Sequence, residues 1–363
     1  MKVKYALLSL VLIATQIQAQ GISYNEESVD LDALYEQIDD AITQSPHYVA
    51  ERERKIAVCR DSLQLDDNLE KRVKMAENLF RLYKSYKNDS AQYYAELCIG
   101  FSETMGRPDL AGRYRSLLAL QCSNTDMVAE SLELLRLVNR SALDKRGLVD
   151  YYNAWMHAYG ELASFTQRQD MYQFYLDKQN TYRDSVMMVA DEGSEEWCHL
   201  KMDILTAKRH FQDALKVSNQ WLKKVYNGTH EKAYAAFYRS MVYENLHNHD
   251  LTCYWFGISA IGDIRSGVMS QASLLFLAER LVEDGDYERA MRYMEFCRTC
   301  NLTFNSHLRA YQLNSIIHVI EKNGKAAQQQ VYQILIGAGI AVFVLLLALI
   351  FVIVRKRKVT NQS

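Results

Sequence analysis

Proline is nearly absent from this sequence, with Pro46 and Pro108 alone among 363 residues, and glycine is sparse at 15. The chain therefore has few positions that break a helical run. An excess of charge of one sign is also missing, since the formal net charge is −2. That balance excludes a broad nucleic-acid face, which needs clustered Lys and Arg to displace counterions from phosphates. Cysteine is too scattered to build a scaffold. There are seven, an odd number, so at least one thiol is expected to stay free or to pair between chains. No phosphate loop, dinucleotide fingerprint or nucleophile–base constellation occurs. The expectation is a protein that is not an enzyme, with no catalytic residue, no cofactor and no resident metal.

What the sequence does contain begins with two apolar segments at its ends. Lys2 and Lys4 precede an apolar run from Ala6 to Ala14 that only Ser9 interrupts, and Ala19 and Gln20 offer a cleavage point. Residues 1–20 thus read as a signal peptide. The first cysteine is Cys59, so no lipid anchor is expected there. At the other end, Ile334 to Val354 carries no charge. A bilayer core takes about 20 residues of helix, so residues 331–354 read as a transmembrane helix. Arg355, Lys356, Arg357 and Lys358 follow at once and act as the topology signal, keeping the short tail 355–363 cytoplasmic. The expected localisation is a single-pass inner-membrane protein with its N-terminal bulk in the periplasm. Gly337-x-x-x-Ala341 would let two spans approach closely, as a homodimer requires.

Between these ends, residues 21–330 read as amphipathic helices. Leu31, Leu34, Tyr35, Ile38 and Ile42 recur at helical spacing, as do Leu79, Leu82, Tyr83 and Tyr86. Polar breaks are expected at Ser45-Pro46, Lys87-Asn88-Asp89, Gly106-Arg107-Pro108, Asn227-Gly228-Thr229 and Asp284-Gly285-Asp286. Second helices of each pair are expected to open on a polar or aromatic residue with a small residue three positions on. The pairs are Asn88…Ala91, Asp126…Ala129, Phe211…Ala214, Asp250…Cys253 and Tyr287…Ala290. Small residues let paired helices approach, and a repeating helix pair is the mark of a solenoid. The fold class expected is all-α, a TPR-like helical-hairpin solenoid with one C-terminal transmembrane helix.

Several local motifs start towards chemistry and stop. His230-Glu231-Lys232-Ala233-Tyr234 begins as a zinc-protease helix, but Tyr234 stands where a second histidine is needed. In Gly257-Ile258-Ser259-Ala260-Ile261-Gly262 the second glycine comes one place late for a nucleophile elbow, and close helix packing explains the small residues. Cys297-x-x-Cys300 falls at the end of a helix, where the dipole disfavours thiolate. His247-Asn248-His249 sits in a turn with no third metal ligand nearby in sequence. Trp155, Trp197, Trp221 and Trp255 are candidates to line a ligand or partner groove, although space-filling between repeats is the commoner use of such residues.

Trp255 to Asp263 (W-F-G-I-S-A-I-G-D), Gln271 to Leu281, Asp284 to Ala290 (D-G-D-Y-E-R-A) and Phe304 to Arg309 carry a family likeness. So do Tyr83-x-x-Tyr86-x-x-Asp89-Ser90-Ala91 and an expected helix pair from Leu31 to Leu63. Together these resemble membrane-anchored TPR-repeat regulators of Gram-negative anaerobes. The resemblance implies a periplasmic binding or sensing module that recognises a peptide, protein or other ligand, with no direct contact to nucleic acid. It brings no catalytic residues. That family continues into a cytoplasmic output region, whereas this sequence stops nine residues after Val354. A tethered scaffold for an envelope complex, without signalling, is the alternative reading.

Overall fold

The computed structural model describes residues 29–306 continuously, then 310–314, 316–322, 324 and isolated positions up to 340. The expected signal peptide, the basic tail and most of the expected span lie outside these residues. Among the described residues no helix is long and apolar enough to cross a membrane.

The described chain is helical, with no strand among its elements. In chain order these are α1 (Leu31–Leu65), α2 (Leu69–Tyr83), α3 (Asn88–Thr104), α4 (Pro108–Ser123) and α5 (Val128–Arg136). A short 3₁₀ turn (Arg140–Ala142) precedes α6 (Lys145–Phe165), α7 (Gln169–Val189), α8 (Glu195–Ala207) and α9 (Phe211–Leu222). Then come α10 (His230–Asn245), α11 (His249–Arg265), α12 (Ala272–Glu283) and α13 (Tyr287–Phe304).

One turn is used five times to fold these helices into hairpins. Gly106, Asp126, Arg209, His247 and Gly285 all adopt left-handed backbone, with φ between 55° and 82°. The residue after each donates its N–H to the carbonyl five positions back. The donor–acceptor pairs are Arg107–Ser102, Met127–Cys122, His210–Leu205, Asn248–Tyr243 and Asp286–Leu281, at 2.8–3.0 Å. That bond is the six-to-one closure of a Schellman ending. The same residue also caps the next helix, so one position ends a helix and starts another. Three residues past the first helical position a small side chain is buried each time: Ala111, Ser131, Ala214, Thr252 and Ala290.

This register shifts the expected pair Asp250…Cys253 by one, to His249…Thr252 with Cys253 buried beside it, and overturns another. The small buried residue of α5 is Ser131, not Ala129, because Asp126 is the left-handed turn residue and α5 begins at Val128. Polar character alone did not distinguish a turn residue from a helix-opening one.

A second correction concerns Pro46. The expected helix pair from Leu31 to Leu63 is one helix of 35 residues that runs through the proline. An interior proline removes a backbone hydrogen bond at a cost of about 3 kcal/mol. Pro46 is exposed, so water can take the freed carbonyl. On either side of it α1 is anchored in a different core. Leu34, Tyr35, Ile38 and Ala41 pack with α11–α13, while Ile56 and Leu63 pack with α2–α4.

That double anchorage closes the array. Successive helices pack on one another from α2 to α13, and α1 packs on both α2 and α11. Met269, Cys300 and Phe304 enter the same core as Leu79, Phe80 and Tyr94. The Met269 N–H donates to the Ser85 carbonyl at 2.7 Å. The ends of the repeat array therefore meet across α1 instead of standing apart.

Candidate functional site

The even-numbered helices α4 and α6, and likewise α8 and α10, touch directly as well as through the odd-numbered helices between them. Each pair forms a wall whose polar groups face across helix boundaries. Glu77 of α2 accepts from Arg113 Nη2 of α4 at 3.1 Å, and from the Tyr114 hydroxyl at 2.8 Å. Arg113 Nε donates to Asp150 of α6 at 2.8 Å. Burial disfavours charge on Glu77, but the bonds and charges of Arg113, Tyr114 and Arg81 outweigh it and hold the carboxyl near 2. Asp150 has fewer partners, so burial prevails over Arg113 and raises it to about 6.

The polar groups are most concentrated on α8 and α10. Ser194 caps α8 by accepting the Trp197 N–H at 3.3 Å, and Thr229 caps α10 by accepting the Lys232 N–H at 3.2 Å. From these starts, four-residue spacing puts Glu195, His199 and Asp203 on one stripe of α8. It likewise puts His230, Tyr234 and Tyr238 on one stripe of α10. The stripes meet. The His199 ring stacks on Tyr238 with centroids 5.0 Å apart and lies edge-on to Tyr234 at 5.9 Å. The Tyr234 and Tyr238 hydroxyls are 3.2 Å apart. Trp221 lies edge-on to Tyr234 at 5.8 Å.

The titratable groups of this wall are perturbed by the protein packed around them. His199 is 5% exposed, and its Nδ1 is buried with no hydrogen-bond partner among the described residues. Burial lowers the imidazole to about 4, so the ring is neutral at physiological pH. Asp203 remains open to water, yet the bulk of surrounding protein raises its carboxyl to about 7 against the single opposing charge of Arg183. Glu195 is raised by burial in spite of Lys84, whose charge reaches it from the far end of α2. Both tyrosines are pushed up by burial. The stripe thus offers two carboxyls of high proton affinity, two phenols and an unsatisfied imidazole nitrogen.

Of the four tryptophans expected at a groove, Trp221 is 2% exposed in the core of α8–α11, with partly buried Trp197 and Trp255 against the same core. Trp155 sits elsewhere, stacked between Tyr159 and Tyr182 at 5.5 Å each on α6 and α7. Trp221 is the one among them in ring contact with the Tyr234–Tyr238 pair. Reading the sequence for tryptophans missed Glu195, His199 and Asp203. Their spacing was the available signal, but solvated helix faces repeat polar residues in the same way.

The remaining motifs are placed plainly. His230 Nδ1 lies 2.7 Å from Asp263 Oδ1 and joins α10 to α11. A Cβ on Gly257 would stand 2.5 Å from Leu34 Cδ2, so the glycine serves close helix packing. Cys297 and Cys300 lie in the last half of α13, buried, and all seven cysteines are unbridged.

A family described as the SusR N-terminal TPR domain matches residues 42–315. No curated protein matches the chain.

Proposed function

Because the chain belongs to the SusR N-terminal TPR domain family, we propose that it is the ligand-binding module of a regulatory system and recognises its ligand on the wall formed by α8 and α10. The observation that carries this reading is His199. A buried imidazole nitrogen without a partner costs about 1–3 kcal/mol, and it stands here against two tyrosines and beside Asp203. The chemistry suits a peptide, protein segment or other ligand that brings hydrogen-bond donors to the carboxyls and a flat face to the phenols. The module works without catalysis in this reading. It is exported behind a signal peptide, held in the inner membrane by residues 331–354 and coupled to an output partner on the cytoplasmic side.

The test compares tagged wild-type chain with Asp203→Asn and Tyr238→Ala, purified from native membranes. Co-purifying proteins, peptides and small molecules are identified by mass spectrometry. Species lost from both variants while the helical content is kept support the wall as the site. A partner recovered equally by all three chains overturns it.

A further inference from the structure

The turn between α10 and α11 and the end of α12 bring together three side chains that the wall does not use. His249 is the first residue of α11 and Cys253 lies one helical turn on, while Asp284 caps the C-terminus of α12. His249 Nε2 lies 2.8 Å from Asp284 Oδ2 and 3.5 Å from Cys253 Sγ. All three ligand atoms fall within 4.8 Å of one another. The sequence hid this cluster because the third group is 35 positions from the histidine.

We propose that His249, Cys253 and Asp284 form a binding site for a borderline-soft divalent metal, best matched by zinc, with the fourth coordination position open to solvent. Thiolate and imidazole together select zinc-like ions over magnesium and calcium, which take oxygen ligands. Zinc bonds of about 2.3 Å to sulfur and about 2.0–2.1 Å to nitrogen or oxygen set the ligand spacing. A tetrahedron with those bonds needs roughly 3.6 Å between sulfur and nitrogen and roughly 3.4 Å between nitrogen and oxygen. The first separation is already met. The second requires the His249–Asp284 pair to part slightly, and both side chains are free to do so, being 40% and 41% exposed.

The core packs behind the cysteine. Tyr35 of α1 packs in the same buried core as Cys253, and the Arg289 guanidinium stacks on the Tyr35 ring at 4.4 Å. Asp250 and Arg280 are the other charged groups that act on Cys253. Binding displaces the thiol proton to solvent and breaks the hydrogen bond between His249 and Asp284; the imidazole then carries its proton on Nδ1, which leaves Nε2 bare for the metal, with no change in oxidation state. The bound ion would tie α11 to the end of α12 beside α1, where the array closes.

The experiment uses the full chain in detergent, stripped by chelator under reducing conditions and titrated with Co²⁺ alone. One equivalent should bind, with tetrahedral visible bands and a thiolate-to-cobalt charge-transfer band, and Zn²⁺ should abolish both. Cys253→Ser should lose the charge-transfer band. His249→Gln and Asp284→Asn alter half-exposed side chains and should leave the fold intact, yet weaken binding about 10–100-fold. Absence of the charge-transfer band in the wild type overturns the site, as does wild-type affinity in either of these two variants.

Discussion

Arg52 Nη1 donates to the Ser266 carbonyl at 2.6 Å, joining residues 214 positions apart in the chain. Nε and Nη2 of the same guanidinium donate to the Leu82 carbonyl at 2.9 and 2.5 Å. The side chain therefore satisfies backbone carbonyls near the ends of α2 and α11 at once, from the middle of α1. Together with the Met269 N–H bond to the Ser85 carbonyl it supplies a polar lock to a largely hydrophobic closure.

Replacing Arg52 should accordingly weaken the closure as a whole. Hydrogen bonds to a charged group are each worth about 1.5–3 kcal/mol, and removal leaves partly buried carbonyls unpaired. Arg52→Met keeps the apolar stem and should cost on the order of 3 kcal/mol in equilibrium unfolding by urea. Arg52→Lys should rescue little, since a point charge cannot serve two divergent carbonyls. Wild-type stability in Arg52→Met would show that α1 needs no such lock.

The buried ladder of Glu77, Arg113 and Asp150 predicts an acid transition. Glu77 has an ordinary value of 4.5 in the unfolded chain and about 2 in the folded one. Because the folded value is the lower, its contribution is complete above about 4.5 and is lost as pH falls towards 2. The shift corresponds to something like 3 kcal/mol. Glu77→Gln should remove that part of the acid sensitivity and leave Arg113, which is 6% exposed, with Asp150 as its one remaining carboxylate partner. Loss of one partner of a buried pair costs about 3–5 kcal/mol at neutral pH. Parallel stability curves for the two proteins between pH 5 and 2 would refute the assignment.

The legibility of the fold followed how local the determinants were. Gly106-Arg107-Pro108 and Asp284-Gly285-Asp286 announce hairpins because glycine and a capping residue are both local signals. Arg209 and His247 occupy the same left-handed position without a glycine, so the turns there carry only half of that signal. Pro46 misled because its cost is local while the compensation, packing of α1 against α11 and α2, is not. The candidate wall was less readable still. His199 joins the candidate wall only because Tyr238, 39 positions later, stacks on it.

Two glycines separate conformational strain from crowding. Gly285 has φ +82° and open space where a Cβ would stand. Gly285→Ala should therefore cost about 1–2 kcal/mol from backbone strain alone. Gly257 is helical, and a Cβ there would stand 2.5 Å from Leu34 Cδ2. Gly257→Ala should cost about 1–3 kcal/mol through overpacking. Adding Leu34→Ala should then cost less than in the wild type, whereas it should add fully to Gly285→Ala. Equal additivity in both backgrounds would mean that the α1–α11 approach is not the tight one.

Opposite pH responses should be separable on α8, one turn apart. His199 is lowered by burial from 6.5 to about 4. Below pH 6.5 the unfolded chain gains a proton that the folded chain refuses, so this residue makes stability fall as pH drops to 4. Asp203, though open to water, is raised from 3.8 to about 7 by the protein packed around it. Here the folded chain holds the extra proton, so stability from this residue declines as pH rises from 3.8 to 7. Because Asp203 is exposed to water, screening makes its effect the smaller of the two. His199→Gln should consequently flatten the loss of thermal stability between pH 6.5 and 4, and Asp203→Asn should steepen it. The two variants, followed by melting temperature across that range, must diverge in opposite directions from wild type. A shift of both in the same direction would mean that the α8 stripe is not the crowded polar surface on which the proposed binding site depends.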